Sequence, residues 1–528
     1  MKSIFIHLLL LILLSNSTEG QPTSFNDSLN LKVDRNTYWW VGIVNHGYLM
    51  PITSPYRADL NSNYGNQVQP LLLSSEGEVI WSDFPFTIHF MGDQLRVKGK
   101  SVRFYYHKAG NSLKEAYYYA NRNYFPASGK IPDQLLFTNP QYNTWIELMY
   151  DQNQQDIMTY ARSILSFGFP PGVLMIDDNW QENYGKWNFH PGRFSDPKQM
   201  VDSLHRMGFK VMLWVCPFVS SDGDVYRDLM SKKYLVTDSR GDPAIVRWWN
   251  GASALLDLTN PGANVWFKSQ LNRLMSDYGV DGFKFDAGDF EYYENIHSFK
   301  SDATPPEHSE TFGKIGLDYP LNEYRAIWKM GGQPLAQRLR DKDHGFDALQ
   351  LLIPNMLIAG LVGYYFSCPD MIGGGEFTSF LNKDQLDQES IVRSAQCHAL
   401  MPMMQFSVAP WRVLDQKHLE AVKKAVEIRQ KFKDYILALA GKAAQTGEPI
   451  MTSMEFNFPH QGYARINDQF LLGDRLLVAP VLSRGAVTRK VIIPQGEWKS
   501  FQGETIRGPR TIEVKVQLDD LPYYERVR

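Results

Sequence analysis

Asp177 and Asp178 follow the apolar run 173–176, and Asp286 follows Phe283-Lys284-Phe285. Asp341 follows Arg338-Leu339-Arg340, and Asp370 stands two places after Cys368. Acids without a shared purpose fall in turns and on helix faces, not again and again where a strand-like run stops. Carboxylates gathered this way suit two chemistries. One is a hard-cation site, which wants several oxygens and no cation among them. The other is a carboxylate pair that divides nucleophile, acid and base roles between its members. The neighbours discriminate. Lys284 lies two residues before Asp286, so the two side chains share one face of a strand. Arg338 and Arg340 closely precede Asp341. Such cations keep a carboxylate ionised and donate to hydroxyls, but they repel a divalent ion. The pattern favours glycosidic-bond hydrolysis over a metal site, with no metal and no organic cofactor expected. In the retaining form one carboxylate attacks, and a partner about 5 Å away serves as acid and then base. Taken alone, Lys284 and Asp286 also read as a structural ion pair capping a strand.

Asp286 and Asp341 are 55 residues apart and can meet only if the elements around them end at one rim. From about residue 134 strand-like runs alternate with helical periods, with strands expected at 144–149, 173–176, 210–217, 282–286, 336–341, 361–368 and 401–407. Asp196-Pro197 and Asn260-Pro261 each read as an N-cap followed by proline at the first helical position, and Gly279 as a helix stop. That alternation predicts an α/β fold, a (β/α)8 TIM barrel whose chemistry sits where strands end. Short alternating runs before and after it predict a β-sandwich-like N-terminal domain and a C-terminal β-sandwich domain. The expected division is 1–20 signal peptide, 21–133, 134–428 barrel and 429–528.

Composition narrows the partners. A chain of 528 residues, 44% hydrophobic and with net charge −3, builds large cores and offers no basic surface for nucleic acid. Thirteen tryptophans and 27 tyrosines supply flat faces of the kind sugars stack on. Lys2 and the apolar run from Ile4 to Leu14 read as a cleaved leader, so the expectation is a secreted or periplasmic protein with no membrane insertion after cleavage. Cys216, Cys368 and Cys397 lack metal-binding spacing and read as buried thiols, one bridge being possible. Oligomeric state is left open.

From about Leu71 onward the chain resembles glycoside hydrolase family 31, in the branch of the myogenesis-regulating glycosidase and bacterial α-galactosidases. The resemblance rests on ordered segments that include PQYNTWIEL (140–148), LMIDDNW (174–180), LWVCPFV (213–219), FKFDAGD (283–289), RLRDKDHGF (338–346) and PDMIGGG (369–375). It implies Asp286 as nucleophile and Asp341 as acid/base. It further implies Asp177, Trp249, Arg325 and Asp370 as substrate-binding residues, joined by Trp145, Trp214 and Arg338 within the matching segments. Family α-glucosidases carry a tryptophan where Arg338 stands and a histidine where Ser407 stands. Lys284 resembles the lysine with which separate α-galactosidase families contact the galactosyl ring. The resemblance thus implies an exo-acting α-galactosidase on a carbohydrate substrate. The alternatives are an α-glucosidase, α-xylosidase or α-N-acetylgalactosaminidase, or a non-catalytic sugar-binding protein.

Overall fold

The computed structural model describes residues 22–527, so the expected leader lies outside the described residues. Eight short parallel strands form the centre: β1 (Gln141–Asn143), β2 (Val173–Ile176), β3 (Lys210–Val215), β4 (Gly282–Phe285), β5 (Leu321–Tyr324), β6 (Gln337–Arg338), β7 (Ser367–Cys368) and β8 (Gln405–Phe406). They pair in chain order from β1 to β7, and β8 returns to β1 through Gln405 and Gln141. Only the β7–β8 seam lacks a ladder, and there Gln405 Nε2 lies 3.9 Å from Cys368 Sγ. This is the expected (β/α)8 barrel. All four residues of β2 are buried, as a strand covered on both faces requires.

The outer helices start and stop where capping chemistry dictates. Asp196 accepts from Gln199 N at the head of the helix Pro197–Arg206. Asn260 does the same for Gly262 N before Pro261–Tyr278, which ends at Gly279 with φ 79°. A left-handed residue at this position favours glycine.

Three expectations about barrel strands change: of the strand expected at 361–368 only Ser367–Cys368 forms, because the helix Phe346–Leu361 reaches its start. The strand expected at 144–149 ends at Asn143, and Trp145–Leu148 is a helical turn. Asn143 Oδ1 accepts from Trp145 N at 2.7 Å, and Thr144 Oγ1 donates to Gln152 Oε1 at 2.6 Å, so side-chain bonds turn the chain away from the ladder. Strand β5 had no sequence signal, because Asn322 and Glu323 interrupt its apolar pattern. Asn322 is nonetheless satisfied inside the fold, donating to Tyr319 O and accepting from Ala336 N. Between β5 and β6 no helix intervenes. Instead Ile327–Trp328 runs parallel to the N-terminal strand Gln67–Ser74 and joins its eight-stranded, mostly antiparallel sheet.

The C-terminal unit is a six-stranded antiparallel sheet. The helix Gln416–Thr446 runs unbroken through the division expected at 428/429 and stops at Gly447, φ 73°. All three cysteines are buried and free. Among the described residues no helix is long and apolar enough to cross a membrane.

Candidate active site

At the C-terminal ends of the barrel strands lies a cavity of about 530 Å³. Asp177, Lys284, Asp286, Asp341, Arg325, Trp145, Trp214 and Trp249 all line it. Asp286 and Asp341, far apart in sequence, therefore open onto one space.

Asp286 follows β4 directly, and its carboxylate is fully engaged. Oδ1 accepts from Arg325 Nε at 2.8 Å and from Ala287 N at 2.8 Å, and Oδ2 accepts from Trp214 Nε1 at 3.1 Å. Burial alone would raise its pKa, but Arg325, then Lys284 and Arg338, outweigh burial and hold the carboxyl well below the usual range. Arg325 also bridges to both oxygens of Asp289 and to Gly65 O at 2.8 Å, so one guanidinium orients two carboxylates. Its guanidinium carbon lies 5.3 Å from the ring centroid of Trp249, which is 48% exposed and offers a face to the cavity.

Lys284 points from the middle of β4 toward β2, and its Nζ donates to Asp177 Oδ2 at 2.6 Å with both side chains 4% exposed. Burial disfavours the ammonium, but Asp177, with Asp286 and Glu323, more than restores its charge. Asp178 turns away from Asp177 and accepts from Tyr184 Oη, Asn250 Nδ2 and Asn179 N. Burial, with Asp177 adding to it, pushes its carboxyl up to about 7.

Asp341 is the more open member of the pair, with 37% of its side chain exposed. Arg338 and Asp370, expected to touch sugar, do not line the cavity. Each is 1% exposed behind Asp341, where Arg338 Nη1 donates to Asp341 Oδ1 at 2.6 Å and to Asp370 Oδ1 at 2.8 Å. Ser407 is also withdrawn: its Oγ accepts from Ile146 N at 2.8 Å and steadies the turn that carries Trp145. Trp145 packs edge-on against Tyr150 and Phe377 at the wall. Trp248 is core, stacked on Phe218 at 4.1 Å. Asp257 fixes its own loop through Thr259 N and Phe299 N.

Several lining groups escaped sequence reasoning. Tyr150, Tyr292, Glu376 and Phe377 come from loops and short 3-10 turns with no periodic signal, while Arg340 was visible beside Asp341. Gly65 arrives from the N-terminal sheet domain, and only the fold brings it there. Asp289 was visible in FKFDAGD, but its pairing with Arg325 was not.

Comparison with known proteins agrees with this fold. The model of the glycosyl hydrolases family 31 TIM-barrel domain matches residues 137–439, and that of the family 31 C-terminal domain matches 447–527. The mouse myogenesis-regulating glycosidase is 33% identical over 429 residues, covering 79% of this chain and 60% of that protein. The α-xylosidase XylQ of Lactiplantibacillus pentosus is 24% identical over 495 residues, covering 86% and 61%. This chain thus spans about three fifths of the length of each. A Flavobacterium johnsoniae family 31 dextranase complexed with glucose superposes with a TM-score of 0.85 at 22% identity, covering 94% of this chain and 66% of that one. At that identity the likeness speaks for the fold. The barrel model alone covers more than half of the sequence, and the chain belongs to glycosyl hydrolase family 31.

Proposed function

We propose that this protein is a retaining, exo-acting α-glycosidase, with terminal α-linked galactose as the sugar it releases. The observation that carries the reading is the cavity shared by an ionised, triply hydrogen-bonded Asp286 and an open Asp341. Asp286 attacks the anomeric carbon and forms a glycosyl ester as the bond to the leaving oxygen breaks. Protonated Asp341 gives its proton to that oxygen. Asp341, now a base, takes a proton from water, which attacks the same carbon, cleaves the ester and returns Asp286 as a carboxylate. Two displacements at one carbon retain its configuration.

Two features support galactose. The Lys284–Asp177 pair presents a cationic donor beside an acceptor at the cavity wall, suited to neighbouring sugar hydroxyls. Ser407, where glucosidases of the family carry histidine, is committed to Ile146 N and leaves the cavity. The leader-like start of the chain supports export of the enzyme as part of the same reading.

A panel of aryl α-galactosides, glucosides, xylosides and N-acetylgalactosaminides tests the sugar, with galactoside expected to have the highest kcat/KM. A preference for glucoside would overturn the galactose assignment. Asp286→Ala should lower turnover by roughly 10³-fold or more. Near-wild-type turnover in that variant would remove the double-displacement reading. Proton NMR of the first product should show the α-anomer.

A further inference from the structure

Arg338 raises a difficulty for an acid at Asp341. A guanidinium 2.6 Å from Asp341 Oδ1 favours the carboxylate, yet the first displacement needs that carboxyl protonated. The surroundings of Arg338 resolve it. The same Nη1 is 2.8 Å from Asp370 Oδ1, and Arg338 Nε is 3.3 Å from Glu323 Oε1 without hydrogen-bond alignment. Glu323 Oε2 accepts from Gln405 Nε2 at 2.7 Å, and burial raises the pKa of Glu323 while Arg338, then Lys284, favour its carboxylate. One guanidinium thus faces three carboxylates from three places in the barrel: β5, the loop after β6 and the loop after β7.

Other charges do not replace it. Lys342, 7% exposed, has Asp370, Arg340, Arg338 and Asp341 as charged neighbours, and its Nζ donates to Arg340 O at 3.2 Å. On the Glu323 side stand Lys284 and Asp177, already paired with each other. Asp286, which also acts on Arg338, has Arg325. Gly375 closes the remaining side: a Cβ there would stand 2.7 Å from Asp341 Oδ1 and 2.8 Å from Asp370 Oδ1, so both carboxyls press on this glycine.

We propose that Glu323 and Asp370 are positioning residues that occupy Arg338 and so let Asp341 carry the proton it donates. The inference rests on Asp341 as the acid of the proposed reaction. Burial, with Asp341 adding to it, pushes the Asp370 carboxyl up to about 7 against the pull of Arg338 and Lys342.

The sign follows from charge. Removing an anion from Arg338 hands more of its field to Asp341, stabilises the Asp341 carboxylate and lowers its pKa. The alkaline limb of kcat/KM, where the acid loses its proton, then moves to lower pH. The test compares wild type, Glu323→Gln and Asp370→Asn on two aryl α-glycosides of the sugar the panel selects. One carries a poor leaving group, 4-methylphenol, and the other an activated one, 2,4-dinitrophenol, which departs without a proton. For the poor leaving group the limb should fall by about one pH unit, a roughly tenfold loss above it. The activated substrate should lose less than about twofold. Glu323→Gln keeps the shape of the side chain and carries the test if Asp370→Asn does not fold. An unmoved limb in a folded variant, or equal losses on both substrates, overturns the proposal while leaving the glycosidase reading intact. A wild-type enzyme inert toward every aryl α-glycoside removes both.

Discussion

A buried lysine does two jobs at the residue scale. Lys284 neutralises Asp177 and adds to the field that keeps Asp286 ionised. Lys284→Met should therefore move the acid limb of kcat/KM upward in pH. Asp286 would take up a proton at a pH where the wild-type carboxyl, held below its ordinary range, is still an anion. The same change strands Asp177 in the interior, with an expected stability loss of about 3–5 kcal/mol in chemical denaturation. Adding Asp177→Asn should recover part of that loss, because the second substitution removes the uncompensated charge. An acid limb that does not move would separate Lys284 from the nucleophile's ionisation. Lys284 beside Asp286 was legible in the sequence because the two share a strand face at a spacing of two, but its bond to Asp177, 107 residues away, was not. Nor was Glu323, since a lone acid between asparagine and tyrosine looks like loop.

Barrel geometry at the element scale depends on backbones that touch. Gly282 opens β4, and a Cβ there would stand 1.9 Å from Leu321 O on β5. Gly282→Ala must therefore push apart the two strands that carry Lys284 and Glu323. The expected cost is about 3 kcal/mol or more, read from the urea midpoint. A neutral result would mean the barrel widens freely, against the close packing of its all-buried strands. Periodicity revealed β2, β3 and β4 and the two proline-started helices, because those segments are locally consistent. It missed β5 and misplaced β1, because their polar residues are satisfied by distant partners: Asn322 by Ala336 N, and Thr144 by Gln152 and Asp177 N.

The site of the whole molecule belongs to two domains. Asn66, from the N-terminal sheet domain, donates to Arg325 O at 2.7 Å and Arg338 O at 3.1 Å, while Gln67 donates to Arg325 O at 2.8 Å. These bonds hold the backbone of both arginines that serve the carboxylates. Asn66→Ala should lower kcat/KM roughly tenfold, by loosening Arg325 rather than by removing a group that touches sugar. Unchanged kinetics would mean the barrel positions Arg325 unaided. The long helix Gln416–Thr446 likewise joins barrel and C-terminal sheet without a break. No composition shift marks such a seam, so domain limits are the least legible part of the sequence.

By itself the sequence determined the chemistry available: which carboxylates end strands, which cations stand beside them, and that a repeating strand–helix rhythm would bring them to one rim. Those properties are local, fixed by residue type and spacing along the chain. Only the tertiary structure decided which acid faces the cavity and which sits behind it, that Arg338 is shared among three carboxylates, and that an N-terminal loop holds the backbone of Arg325 beside Asp286. Such choices depend on distances between residues up to 272 positions apart, as Asn66 and Arg338 are, and only packing sets those distances.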